Sequence, residues 1–155
     1  MIVDLIDHPD AVEQVTDWID TQWANLSGRS REETRARFSK GIERNRLPVT
    51  HIALANDKPV GLASLRSRDS FDFSPDATPW ICNVFVDENA RGSGVADRLC
   101  SSLEKLAVTL GYGEVFLGTF MLEGSLYHRR GYKELTRIEA YGELTAVLRK
   151  SLRPS

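Results

Sequence analysis

Residues 81–96 read ICNVFVDENARGSGVA, an apolar strand that runs through a short glycine-containing turn into a helix. Apolar residues then recur three or four positions apart, at Val95, Leu99, Leu103, Leu106 and Leu110. Gly111 follows directly, as a helix C-terminus favours, so the spacing predicts a helix over 95–110. Gly92 and Gly94 lack side chains, which lets backbone N–H groups at the positive end of this helix approach a phosphate. The segment therefore predicts a phosphate-binding turn.

Other glycine turns bind different ligands, or none. A P-loop carries Lys-Ser or Lys-Thr after its last glycine, but Val95 and Ala96 stand there. The turn thus lacks both the lysine for the β and γ phosphates and the hydroxyl for magnesium. A dinucleotide fingerprint needs a third small residue where Asp97 stands. On the turn alone, a plain strand-to-helix connection without a ligand stays open.

The turn resembles the acyl-CoA signature of the GNAT superfamily of N-acetyltransferases, Gln/Arg-x-x-Gly-x-Gly/Ala after a hydrophobic strand. Arg91, Gly94 and Ala96 fill that pattern. A second family motif, Phe/Leu-Tyr-x-x-x-Gly-Phe/Tyr, is matched at residues 126–132, which read LYHRRGY. The two motifs occur in the family's order, and the resemblance covers nearly the whole chain.

The resemblance implies an α/β fold (α+β in some schemes) whose central sheet is mixed but mostly antiparallel and is flanked by helices. The sheet is expected to contain a splayed pair of strands at the CoA site, within a single domain of residues 1–155. Patterning predicts an amphipathic helix at 11–23, capped by Asp10, and a mainly polar helix at 31–44, capped by the capping box Ser30-x-x-Glu33. It further predicts an irregular loop at 68–79 and a short helix at Tyr127. Strands are predicted at 49–55, 60–67, 80–86, 114–118, 133–140 and 143–148, with a hairpin turn at Asn56-Asp57-Lys58 between the first two.

The resemblance implies acetyl-CoA as the cosubstrate. Its pantetheine arm is expected along the strand at Val84, Phe85 and Val86. Its phosphates are expected in the turn, at Arg91, Gly92, Ser93, Gly94, Val95 and Ala96. No metal is expected, because His8, His51 and His128 are scattered along the chain.

The implied reaction is attack of an amine on the acetyl-CoA thioester, with a backbone N–H of the Val84 strand holding the oxyanion. By resemblance, Tyr127 is the general acid that protonates the leaving thiolate. The alternative for Tyr127 is a core aromatic whose hydroxyl binds backbone. No general base is assigned, since ordered water serves in some members of the family. The candidates by residue type are His51, Asp72, Asp87, Glu88, Glu123 and Glu139.

The acceptor is expected to be a primary amine of a small molecule or a peptide, lying between the first two helices, the 68–79 loop and the last strands. Residues 29–46 hold seven basic residues against three acids. If part of this excess faces the cleft, an acceptor with carboxylates or an acidic peptide is favoured; the alternative is a solvated helix face. A homodimer is possible, as dimers are frequent in the family.

Two departures from the family pattern stand near the site. Many members have an asparagine after the fifth strand, where this chain reads Thr119-Phe120-Met121, and a proline where it has Glu88.

The competing function is an acyl-CoA-binding sensor that catalyses nothing. The presence of both Arg91-x-x-Gly94-x-Ala96 and Tyr127 favours the enzyme.

The composition of the chain limits the kinds of binding partner and the cellular location that are expected. The chain has 155 residues and a net charge of −2, which gives no general attraction for nucleic acid. No apolar run approaches the roughly 20 residues of a membrane span, and the acidic N-terminus is unlike a signal sequence, so a cytoplasmic protein is expected. Cys82 and Cys100 are predicted to be buried free thiols.

Overall fold

The computed structural model describes residues 1–39, 44–69 and 73–153. In chain order the strands are β1 (Ile2–Asp4), β2 (Val49–Ala55), β3 (Lys58–Arg66), β4 (Trp80–Val86), β5 (Glu114–Thr119), β6 (Lys133–Ala140) and β7 (Glu143–Ser151). The helices are α1 (Val12–Ser27), α2 (Arg31–Ser39), α3 (Val95–Thr109) and α4 (Leu126–Arg129). Among the described residues, no helix is both long and apolar enough to cross a bilayer.

The strands form one seven-stranded sheet in the order β1-β2-β3-β4-β5-β7-β6. Neighbouring strands are antiparallel except for β4 and β5, which run parallel. The sheet is therefore mixed and mostly antiparallel, as predicted.

Local sequence explains most element boundaries. Ser30 Oγ accepts the N–H of Glu33 at 3.1 Å and Glu33 Oε1 accepts the N–H of Ser30 at 3.4 Å, which confirms the capping box of α2. Asn56 and Asp57 join β2 to β3 with positive φ angles of 52° and 64°, the backbone of a tight hairpin turn. Gly111 follows α3 with a φ of 94°, as predicted for a helix end.

Other predictions needed correction. Strand β1 was not predicted; it is only three residues long and exists because it pairs with β2. Asp10 lies within a short 3₁₀ turn ahead of α1 and caps nothing, because Pro9 starts that turn. Helix α1 extends to Ser27, and β7 extends to Ser151. The predicted helix residues 40–43 and loop residues 70–72 lie outside the described residues.

Two larger apolar cores lie on opposite faces of the sheet, and a third, smaller cluster is formed by Ala77, Trp80, Phe116 and Val147. Helix α3 packs Val95, Leu99 and Leu103 into the larger core, with Val115, Leu117 and Leu148 from β5 and β7. On the other face, Val12, Val15 and Ile19 of α1 pack with Phe38 of α2 and Leu62 of β3. The amphipathic faces predicted for α1 and α3 are the faces that these cores bury. Cys100 is buried and Cys82 is half-buried, and both thiols are free.

Candidate functional site

The cleft of this molecule opens where β4 and β5 part. Trp80 pairs with Phe116 at the start of the two strands, and no further ladder pair joins the strands in the described part of the chain. The two rings pack with centroids 5.5 Å apart and close the narrow end of the gap. From Ile81 to Val86, β4 therefore leaves its β5-facing edge open, as expected for a splayed pair.

A β-bulge in β4 contributes to this separation. Leu62 pairs with Phe85 and Ser64 pairs with Cys82, so Asn83 and Val84 together oppose one residue of β3. Asn83 has a φ of 57°, a left-handed conformation that asparagine tolerates better than most residues. The bulge bends β4 away from β5 and brings Asn83 and Val84 to the wall of the cleft.

The cleft holds a cavity of about 640 Å³. Its walls come from β4 and β5, from α1 and α2, from α4, and from the β6–β7 hairpin. These include Gln22, Trp23, Arg29, Thr34, Arg37, Asp69, Asn83, Val84, Thr119, Tyr127, Tyr141 and Glu143. The regions predicted to surround the acceptor thus meet around one cavity.

The glycine turn lies between β4 and α3. Gly92 and Gly94 have φ angles of 83° and 80°, which only glycine adopts without strain. Hydrogen bonds within the turn use the N–H groups of Ala90, Arg91 and Arg98. Among the described residues, the N–H groups from Gly92 to Ala96 find no acceptor. They stand at the positive end of α3, where an anion's oxygens would be stabilised.

The Arg91 side chain folds back from the turn onto the end of β4. Its Nε donates to the carbonyl oxygen of Val86 at 3.1 Å, and its guanidinium lies 5.9 Å from the centroid of the Phe85 ring. Phe85 itself stacks on Trp18 at 5.3 Å. Of the three predicted strand residues, only Val84 lines the cavity.

Tyr127 reaches the cavity from the short helix α4. Ser125 caps this helix by accepting the N–H of His128, while His128 Nδ1 accepts the N–H of Ser125. After α4 the chain turns back at Gly131, and the N–H of Tyr132 donates to the carbonyl of Tyr127 at 3.1 Å. The rings of Tyr127 and Tyr132 meet edge to face with centroids 6.1 Å apart.

The Tyr127 hydroxyl keeps its proton. Burial, with Cys100 nearby, raises its pKa well above that of a free tyrosine. Within the described residues no hydrogen bond engages this hydroxyl, whereas the hydroxyl of Tyr132 donates to Glu104 Oε2 at 2.8 Å. Tyr127 is thus a protonated donor on the cavity wall, and its ring also packs against the core.

The base candidates that the structure describes are not on the cavity wall. Glu88 and Glu123 are exposed in turns, and Glu139 is exposed on β6. His51 Nδ1 hydrogen-bonds Ser102 Oγ at 2.8 Å on the far side of the sheet, and burial lowers its pKa. Asp87 follows β4 outside the cavity lining, and Asp72 lies outside the described residues.

Sequence patterns missed the carboxylates that do line the cavity, Asp69 and Glu143. Each is an ordinary loop or hairpin residue in the sequence, and only the fold brings it to the cleft. The expected asparagine after β5 is replaced by Thr119, whose Oγ1 accepts the N–H of Met121 at 3.1 Å and orders the loop. In the described part of the chain, no three His, Cys, Asp or Glu residues are grouped to hold a metal ion.

A family model described as the acetyltransferase (GNAT) family matches residues 12–132. The chain belongs to the GNAT acetyltransferase family. It is therefore an acetyl-CoA-dependent N-acetyltransferase, as its two motifs predicted.

Solved structures share the GNAT fold over the full chain. An aminoglycoside 6′-N-acetyltransferase complexed with coenzyme A is 15% identical, with 100% of this chain and 98% of that chain covered and a TM-score of 0.76. An N-acetyltransferase from Staphylococcus aureus Mu50 is 18% identical, with 99% and 98% covered and a TM-score of 0.76. An acetyltransferase from Streptococcus agalactiae 2603 is 22% identical, with 97% of each chain covered and a TM-score of 0.70. No curated protein sequence matches this chain. At these identities the likeness establishes the fold.

Proposed function

We propose that this GNAT enzyme transfers an acetyl group from acetyl-CoA directly to a primary amine of a small molecule or peptide, within a ternary complex. The observation that carries the proposal is the position of Tyr127, a protonated donor on the wall of the cavity that also contacts the open edge of β4. An acceptor in this cavity and a thioester along β4 would meet beside the Tyr127 hydroxyl.

The residues fit acetyl-CoA as a substrate. The free N–H groups of Gly92 to Ala96 would hold its pyrophosphate, with Gly94 leaving room for the close approach. The open edge of β4, at Val84, Phe85 and Val86, would hydrogen-bond the pantetheine arm through the backbone. Arg91 supports this site by bracing the turn against β4.

The chemistry then follows from the cleft. The acceptor nitrogen forms a bond to the carbonyl carbon, and the bond from that carbon to sulfur breaks. A backbone N–H near the β4 bulge holds the charge that develops on the carbonyl oxygen. Tyr127 donates its proton to the departing sulfur, and the nitrogen loses a proton to solvent or to a carboxylate of the cavity, Asp69 or Glu143. Tyr127 then regains a proton from solvent, which restores the enzyme. The products are an amide and CoA.

Calorimetric titration with acetyl-CoA and with CoA tests the binding part of this proposal. We expect saturable binding of both ligands. Absence of binding at millimolar ligand would contradict the assignment of the glycine turn and of the β4 edge.

Tyr127→Phe tests the general acid. A positioned proton donor typically contributes on the order of 10² to 10⁴ in rate, so kcat should fall by that factor while acetyl-CoA affinity stays unchanged. The measurement is CoA thiol release with a panel of primary amines, followed by titration of each variant. Tyr112→Phe is the matched control, because Tyr112 packs against the core outside the cavity lining. Unchanged turnover in Tyr127→Phe would make Tyr127 a packing residue.

A further inference from the structure

A second, smaller cavity of about 250 Å³ adjoins the acceptor cleft and is lined by arginines. Arg29, Arg37, Arg66 and Arg68 form most of its wall, and Asp69 is the carboxylate among its lining residues. Arg29, Arg37 and Asp69 also line the main cavity. The two cavities therefore share a wall, and the shared wall is positively charged.

Arg66 is the most constrained of these side chains. It ends β3, and its Nε and Nη2 atoms are buried without a hydrogen-bond partner. Its guanidinium lies 6.0 Å from the centroid of the Phe38 ring, a contact that leaves the N–H donors unused. A buried guanidinium stays charged and must find acceptors or bear the cost of desolvation. Arg66 thus places a positive charge at the wall of the smaller cavity, although its Nε and Nη2 atoms are themselves covered by protein.

Arg37 brings a second charge to the same place. It comes from α2 and is half-buried, and burial together with the positive charges of Arg66 and Arg29 lowers its pKa to about 10. Arg37 remains protonated at neutral pH, so it adds a positive charge beside Arg66.

The other arginines of this part of the chain behave differently. Arg31 is bound by Glu13 and Asp17, and Arg35 is bound by Glu13, on the exposed face between α1 and α2. Arg44 pairs with Asp7, also exposed. Among the described residues, no carboxylate forms a salt bridge with Arg29, Arg37, Arg66 or Arg68. Within residues 29–46, Arg31, Arg35 and Arg44 therefore pair with carboxylates on exposed faces, whereas Arg29 and Arg37 lie at the cleft.

We propose that Arg29, Arg37 and Arg66 form an anion-binding subsite that takes a carboxylate or phosphate group of the acceptor amine. The inference rests on the proposed function, since it assigns the smaller cavity that shares a wall with the acceptor cavity. Planar guanidinium groups match the oxygens of both anions, and three of them meet at this cavity. With its anion held there, an acceptor would extend its amine along the cavity toward Tyr127.

The proposal separates this chain from enzymes whose acceptors are polycations. The aminoglycoside 6′-N-acetyltransferase above shares the fold, but an aminoglycoside carries several amines that would bring ammonium groups against Arg29 and Arg37. We expect amines that carry one anionic group to be preferred over polyamines.

The first experiment measures anion binding without catalysis. Inorganic phosphate is titrated into the protein saturated with CoA, so that the glycine turn is already occupied, and binding is followed by calorimetry. We expect Arg37→Gln to weaken phosphate binding at least tenfold. Arg31→Gln is the matched control, since it removes the same charge from the same helix at the paired, exposed face, and it should bind phosphate as the wild type does. Arg66→Met, which replaces an unpaired buried charge by an apolar chain of similar length, should also lose binding.

The second experiment uses pairs of amines that differ by one anionic group, such as lysine and cadaverine. The ratio of kcat/KM for the two should favour the anionic amine at least tenfold in the wild type and in Arg31→Gln, and should approach one in Arg37→Gln. Equal phosphate affinity in wild type, Arg37→Gln and Arg66→Met would overturn the anion subsite, while acetyl-CoA binding and Tyr127-dependent turnover would still stand. Failure of acetyl-CoA to bind would overturn the proposed function. The anion subsite would then be tested by itself, by comparing phosphate binding to the unliganded wild type with phosphate binding to the unliganded variants.

Discussion

At the scale of single residues, the missing side chain of Gly94 matters for the backbone conformation of the glycine turn and for access to its N–H groups. Its φ of 80° places it in the left-handed region, and a Cβ there would lie 3.3 Å from Nη1 of Arg98. The free N–H groups around it face the solvent at the N-terminus of α3. A side chain at position 94 should therefore disturb folding only slightly. It should interfere more strongly with a ligand that must approach the backbone of the turn.

Gly94→Glu should abolish CoA binding, with a loss of at least 100-fold in affinity, because the side chain fills the turn and its charge repels phosphate. The left-handed backbone costs a non-glycine residue about 1–2 kcal/mol, so the domain should still fold. Gly111→Glu provides the control, since Gly111 also has a left-handed φ, 94°, with open space around it, but lies at the other end of α3. Calorimetry gives affinity and urea unfolding gives stability. Full CoA affinity in Gly94→Glu would show that the turn does not hold the phosphates.

At the scale of elements, α3 is tied to the end of the chain by one buried carboxylate. Glu104 of α3 is 8% exposed and accepts hydrogen bonds from Arg130 Nη2 at 2.7 Å, Lys150 Nζ at 3.0 Å and the Tyr132 hydroxyl at 2.8 Å. Arg130 also pairs with Asp97 in the first turn of α3. This network connects α3, which follows the glycine turn, to the segment that follows Tyr127. It therefore helps to fix the position of the glycine turn relative to Tyr127.

Glu104→Gln should destabilise the protein by roughly 3 kcal/mol, because it removes the buried carboxylate that pairs with both Arg130 and Lys150 and leaves Arg130 with Asp97 alone. Urea unfolding followed by circular dichroism measures the difference. Glu114→Gln is the comparison, since Glu114 pairs with Arg149 where both side chains are more than a third exposed, and such pairs are worth about 1 kcal/mol or less. Equal losses in the two variants would mean that the Glu104 network is no stronger than a surface pair.

At the scale of the whole molecule, the cavity is lined by elements that lie far apart in the chain, from α1 to the β6–β7 hairpin. Trp18 of α1 stacks on Phe85 of β4, and this contact connects the first helix to that strand. Helix α3 and the β5–β7 pair share the core on the other face. We propose that residues 1–155 act as one cooperative domain, because no element of the site is packed independently of the sheet.

A single unfolding transition is therefore expected, with tryptophan fluorescence and far-UV circular dichroism giving the same midpoint. Acetyl-CoA at 100 times its dissociation constant should stabilise the folded state by about 2.7 kcal/mol and move both signals together. Gly94→Glu should show no such shift. Separate midpoints for the two signals would contradict one domain.

The sequence by itself determined the features that depend on neighbours in the chain. The glycine turn, the capping box of α2, the hairpin at Asn56 and Asp57 and the apolar face of α3 all follow from local spacing and backbone preference, so they were predicted correctly. The family motifs carried the fold for the same reason, since each is a contiguous segment.

Only the tertiary structure decided which distant residues meet. β1 is too short to predict and exists because β2 pairs with it; the β4 bulge at Asn83 depends on register with β3. Arg29, Arg37 and Arg66 converge from separate segments, while Arg31 and Arg35 of the same run find carboxylates on α1. Charge and burial are properties of the packed surroundings rather than of the residue, which is why the sequence could count the arginines but could not say which of them face the cleft.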